Sequence, residues 1–143
     1  MEEGGYPAEP APLGKDLANA VLALDLASSL LDVARERFLQ GDYHGSLEQS
    51  RDAIRVASSA ILFKDGYVSA SFESTLNYFL KNYPGAFPLD EWRELETAYT
   101  EYGLFSMIMK ALKKEKKAGE DEANAAIAAA SAFITCAKAR MGL

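Results

Sequence analysis

The one histidine of the chain, His44, stands in the run GDYHGSLEQSRDAI at positions 41–54, with Tyr43 before it and Glu48 one turn after it. A lone imidazole beside a phenol and a carboxylate is a set from which a general base can be made. The partners such a base needs are missing. No Gly-x-Ser-x-Gly elbow presents a nucleophile, and Ser46 and Ser50 read as packing or surface positions on a helix. Neither Gly-x-Gly-x-x-Gly nor a Walker run ending in Lys-Ser/Thr supplies a phosphate cradle. His44 therefore reads as an exposed residue in the first turn of a helix, without a specific contact.

Arg51 and Arg55 lie one helical turn apart, so they project together, and a pair of guanidinium groups can hold a phosphate by forked hydrogen bonds. The competing reading is a solvated helix face on which Glu48 pairs with Arg51 and Asp52 with Arg55. A second polar set, Tyr99, Glu101 and Tyr102, would serve as acid–base groups if it lined a cleft, but aromatic residues at three-residue steps on a helix more often face a core. The candidate ligand-binding residues are thus Arg51, Arg55, Tyr99 and Tyr102. None is assigned a catalytic role, and the chain does not read as an enzyme. The lysine run at 113–117 reads as a solubilising helix end. One cysteine, Cys136, and one histidine leave too few soft ligands for a structural zinc site, and no cofactor is implied.

What positions these groups is a single domain, since 143 residues at 49% apolar content are enough for one core. The net charge of −6 disfavours bulk nucleic-acid binding, although a local basic patch can still hold one anion. A lone cysteine excludes an internal disulfide, and the chain reads as cytoplasmic. Residues 1–14, rich in Gly and Pro, read as a flexible tail, with the helical domain at 15–143. No run of 18 uninterrupted apolar residues implies a membrane span.

From Leu17 onward, apolar and small residues recur at steps of three and four: Leu17, Ala20, Leu24, Ala27, Leu31, Ala34 and Phe38, behind a candidate N-cap at Asp16. Gln40-Gly41 stops that helix. Asp42 caps a second, in which Tyr43, Leu47, Ser50, Ile54, Ala57 and Ile61 keep the spacing up to Lys64-Asp65-Gly66, and so short a connection predicts an antiparallel hairpin. A helix of about three turns fits SFESTLNYFLKNY. Pro88 with Asp90-Glu91 starts a fourth, whose face carries Trp92, Leu95, Tyr99, Tyr102 and Met109, with Gly103 as a bend or an interruption and Gly119 as its closure. The fifth carries Ala123, Ile127, Ala130, Ile134, Ala137 and Met141, and its alanines form a seam that is either internal or intermolecular. No segment shows strand alternation. The fold expected is an all-α antiparallel bundle of five helices.

In this order the elements resemble a known family. A long helix in QGDYHGSLEQSRDAIRVASSAILFKDG, a short helix after the glycine, a helix ending TEYGLF and a final DEANAAIAAASAFITCA are similar to the HEPN domain, the higher eukaryote and prokaryote nucleotide-binding fold, over residues 15–141. The resemblance implies an up-and-down bundle, commonly a homodimer, that binds nucleotides or RNA and is often encoded beside a small nucleotidyltransferase, which would make this chain its substrate-binding partner. Many members cleave RNA with an Arg followed a few residues later by a His. That Arg falls near Thr97 here, and no His follows His44, so the resemblance implies binding without cleavage. Ser71-Phe72 also stands where many members have a Thr-His or similar pair. Trp92, Phe105, Met107 and Met109 supply apolar surface for such a dimer, or equally complete the core of a monomer. Gly41-x-Tyr43-x-x-x-Leu47 resembles, in addition, the second helix of a tetratricopeptide unit, a protein-binding scaffold, but no second copy follows at a period near 34 residues.

Overall fold

The computed structural model describes residues 8–112 and 119–143, the side chains at 101–107 and 109–111 excepted. Its elements are β1 (Ala11–Pro12), α1 (Leu17–Leu39), α2 (Tyr43–Asp65), β2 (Tyr67–Val68), α3 (Phe72–Asn82), α4 (Leu89–Ala111) and α5 (Glu120–Met141). An all-α bundle is the result, with one small ribbon added.

The helices start where side chains can take up orphan N–H groups. Asp16 accepts from the Asn19 amide at 3.0 Å, Asp42 from Gly45 at 2.9 Å and Ser71 from Ser74 at 3.1 Å. The Gly45 amide, with Arg37 beyond it, holds the Asp42 carboxyl below its ordinary range. A side-chain carbon at position 45 would collide with that carboxylate. Between α1 and α2 the turn is clamped by Arg37 Nη1 on Asp42 Oδ2 at 3.0 Å. Further along the hairpin, Ser46 Oγ donates to the Ala34 carbonyl at 2.8 Å in a buried position, where an unmade bond would be costly.

α2 ends at Gly66, whose φ of +96° suits a residue without Cβ. Its carbonyl accepts from the amides of Leu13 and Gly14, at 2.8 and 3.1 Å. Ala11 then pairs with Val68 and Pro12 with Tyr67, antiparallel, and Asn77 Nδ2 donates to the Ala8 carbonyl at 3.1 Å. Residues 8–14, read as tail, are instead laid along the end of α2. A two-residue ribbon containing proline has no alternation to betray it. Residues 1–7 lie outside the described set.

α4 runs through Gly103 without a break in its helical backbone, so the helix is not interrupted there. Gly119 does not close α4: it is the N-cap of α5, ahead of Glu120, Asp121 and Glu122, whose charges suit a helix amino end. The lysine run at 113–117 lies outside the described residues.

The core is layered by size. Ala20, Ala27 and Ala34 of α1, Ala53, Ala57 and Ala60 of α2, and Ala123, Ala130 and Ala137 of α5 are buried, so the three long helices approach closely and the alanine seam is internal. Where α3 and α4 close the bundle the fill is aromatic. Phe79 and Phe87 meet edge-on at 4.8 Å, Phe133 lies 4.8 Å from Phe87 and 5.3 Å from Trp92, and Phe72 meets Trp92 at 5.0 Å. Trp92 is 1% exposed, so of the two places open to it, a dimer surface or the monomer core, it takes the core. The side chains of Phe105, Met107 and Met109 lie outside the described residues.

Candidate ligand groove beside Arg55

α2 presents Arg51 and Arg55 toward α4, and the two guanidinium groups diverge. Arg55 reaches Glu96 with both arms of a fork, Nε to Oε2 at 2.7 Å and Nη2 to Oε1 at 2.6 Å. Trp92 Nε1 gives Glu96 Oε2 a third hydrogen bond at 3.1 Å. Glu96 is 6% exposed while the Arg55 side chain is 44% exposed, so the carboxylate anchors the arginine from below. The Glu96 hydrogen bonds raise the Arg55 pKa above its ordinary value, against the effect of burial. Arg55 is a fixed cation.

Arg51 lies over the Tyr99 ring, its guanidinium carbon 3.9 Å from the centroid, and its Nη2 donates to Asp52 at 3.1 Å. His44, two turns earlier on α2, stacks against the same ring at 6.4 Å with an interplanar angle of 15°. The Tyr99 hydroxyl donates to Glu48 Oε2 at 3.4 Å. The expected ladder of Glu48 to Arg51 and Asp52 to Arg55 is therefore not the one formed, because Glu48 is turned to Tyr99 and Glu96 outcompetes Asp52. His44 is half-buried and in contact, not exposed and free. Of the four residues read as ligand-binding, Arg51 and Tyr99 are brought together, Arg55 stands apart with Glu96, and the Tyr102 side chain lies outside the described residues, as does that of Glu101.

Arg55 instead shares a groove with the amino end of α3. The groove is lined near Arg55 by Ser58, Ser59, Ser69, Ser71, Thr75 and the aromatic floor of Phe72 and Trp92. It widens across Ala70 and Ser71 toward Glu96, Thr97 and Thr100, to a volume of about 550 Å³. Several hydroxyls spend their protons inside the wall. Ser58 and Ser59 donate to the Arg55 carbonyl at 2.7 and 3.1 Å, and Thr100 to the Glu96 carbonyl at 2.9 Å. Sequence reasoning did not single out Glu96 and noted Phe72 only as a departure from the family's pattern; a carboxylate four residues after Trp92, inside the apolar stripe of α4, was the available signal.

A second polar cluster ties the end of α2 to α3. Asp65 Oδ2 accepts from Tyr78 at 2.7 Å and Tyr83 at 2.5 Å, and Oδ1 from Lys64 at 2.6 Å. Burial raises the Asp65 pKa, but the donors from Lys64, Tyr83 and Tyr78 outweigh it and hold the carboxyl below its ordinary range. Burial, then the hydrogen bond to Asp65, raises both phenols. All its bonds are internal, which makes it a brace.

Among the described residues no group of three His, Cys, Asp or Glu side chains is placed to hold a metal ion. No family model, no curated protein and no solved structure matches this chain.

Proposed function

We propose that this chain is a non-catalytic, HEPN-like binding module of the cytoplasm, taking a nucleotide in the groove beside Arg55 and serving as the substrate-binding partner of a small nucleotidyltransferase. One observation carries the reading: a guanidinium fixed by Glu96, the amino end of α3 and an aromatic floor open on one groove. Arg55 spends two of its five N–H donors on Glu96 and keeps the rest for an anion. The helix end adds a partial positive charge, offset in part by Glu73 of its first turn, which also lines the groove. Phe72, half-buried at the floor, offers a ring for a base to lie on. Glu96 already balances one positive charge, so the phosphate contact is weak and salt-sensitive. His44 lies against Tyr99 and not among the groove's lining residues, which supports binding without chemistry.

The test is thermal melting with mono-, di- and triphosphate nucleotides at millimolar concentration. A ligand that binds only the native state raises the melting temperature by mass action. Ala70→Trp, at an exposed position on the groove wall, is expected to abolish the shift while leaving the melting temperature without ligand and the circular dichroism unchanged. No shift with any nucleotide, or one that survives Ala70→Trp, would sink the reading.

A further inference from the structure

α4 and α5 leave a second groove between them, on the side of α4 turned away from Arg55. Leu95 and Ala98 of α4, Ala126 and Ala129 of α5 and Leu47 of α2 form its floor. Glu91 and Glu94 border it on one wall and Glu122 on the other. From Glu91 to Ala98 and from Glu122 to Ala129 the lining positions step by three, one and three, so the groove follows both helices for about 10 Å at the helical rise. Glu96, Thr97 and Thr100, which line the groove beside Arg55, project from the opposite side of α4.

Size and charge decide what fits. The volume of about 220 Å³ is below the ~300–1,000 Å³ usual for a small-molecule site and above the roughly 150 Å³ in which an apolar cavity takes a benzene-sized group. One large apolar side chain fits. The wall on α5 is alanine, which lets a third helix lie close along the groove. Around the opening the charge is negative, since no Lys or Arg lines it, and among the described residues the exposed Glu91 and Glu94 form no ion pair. The first turns of α4 and α5 add Asp90, Glu120 and Asp121, and the positive ends of the two helices offset only part of this. The chain itself is a poor source for the occupant. Residues 113–118 offer no apolar group larger than the Ala118 methyl, residues 1–7 carry Glu2 and Glu3, and a second copy brings a net charge of −6.

We propose that this groove docks a basic amphipathic helix of a partner protein, which lowers one Leu or Met side chain between Leu95 and Ala126 and sets Lys or Arg against Glu91 and Glu94. The buried anchor supplies most of the affinity, and the carboxylates fix orientation and speed the encounter. The nucleotide groove faces the other side of α4 and takes no part.

The probe is a fluorescein-labelled synthetic helix of about 15 residues, with a single stripe of Leu and Lys elsewhere, titrated with the full chain and read by fluorescence anisotropy. Saturable binding in the micromolar range, weakening with salt, is expected. A scrambled peptide of the same composition, which has no apolar stripe, is expected to bind about tenfold more weakly. Ala125→Trp, at an exposed position on the groove wall, is expected to abolish binding with circular dichroism and melting unchanged. Glu91→Gln with Glu94→Gln is expected to weaken binding about tenfold, while Asp32→Asn with Glu36→Gln on α1, an equal change in net charge, is expected to leave it intact. Absence of saturable binding would overturn the proposal. So would binding that survives Ala125→Trp, equal losses in the two charge-neutralised variants, or equal binding of the scrambled peptide. Hexylammonium competing as strongly as the peptide, or self-association that Ala125→Trp abolishes, would name a different occupant and overturn it too.

Discussion

Arg55 gives two N–H donors to Glu96, and the consequence of removing it follows from where the charges lie. Glu96 is 6% exposed, so Arg55→Ala leaves a buried carboxylate with Trp92 as its remaining side-chain donor among the described residues. The expected loss is about 1–3 kcal/mol in urea denaturation, the cost of a buried group short of its partner. Arg55→Met with Glu96→Leu is expected to recover most of that, since an apolar pair of similar volume needs no desolvation. If the double variant were as unstable as the single one, packing and not charge would explain the loss. His44 carries a separate expectation. It stacks on the Tyr99 ring over which Arg51 also lies, and on the proposed reading of binding without cleavage the purified protein should leave RNA intact. Metal-independent turnover abolished by His44→Ala would contradict this.

At the scale of elements, the Asp65 cluster makes the union of α2 and α3 sensitive to pH. A carboxyl held below its ordinary pKa contributes stability above the unfolded value of 3.8 and loses it as pH falls through the folded value. The phenols act in the opposite sense. Raised above 10.0, Tyr78 and Tyr83 contribute stability that is present below that pH and is lost as pH climbs beyond it. Melting temperature should therefore fall at both ends, and Asp65→Asn should flatten both limbs. Limbs that stay as steep in Asp65→Asn would place the dependence elsewhere. The helices themselves were legible because their caps are local: Asp16, Asp42, Ser71 and Gly66 announce starts and a stop within four residues. The ribbon and the groove were not, because Gly66 with Leu13, and Arg55 with Glu96, are far apart in sequence and meet only through packing. Phe133 was missed for a related reason, as it sits beside the stripe of Ile127, Ile134 and Met141 and is drawn inward by Phe79, Phe87 and Trp92.

For the whole molecule, size segregation in the core sets where damage is greatest. Phe133 is fully buried and touches Phe79, Phe87 and Trp92, so Phe133→Ala should cost about 3–5 kcal/mol, a large share of what a domain of this size has. Phe133→Leu, which keeps more of the volume, should cost clearly less in the same denaturation curves; equal losses would argue that ring contacts outweigh cavity formation. The alanine layer predicts the reverse sensitivity. At Ala57 or Ala130 an added methylene has nowhere to go, and Ala130→Leu should lower the melting temperature by overpacking three helices at once.

The fastening of residues 8–14 to Gly66 and Val68 also orders events on the ribosome. That segment has no strand to pair with until position 68 has emerged, and the aromatic layer waits for Phe133, a further stretch of 65 residues or about 3–13 s at bacterial to eukaryotic elongation rates. During that interval Phe79, Phe87 and Trp92 have no α5 to cover them. A nascent chain arrested before residue 120 should accordingly expose those rings to a hydrophobic dye or to trigger-type chaperones, and release of the last helix should end that exposure in one step.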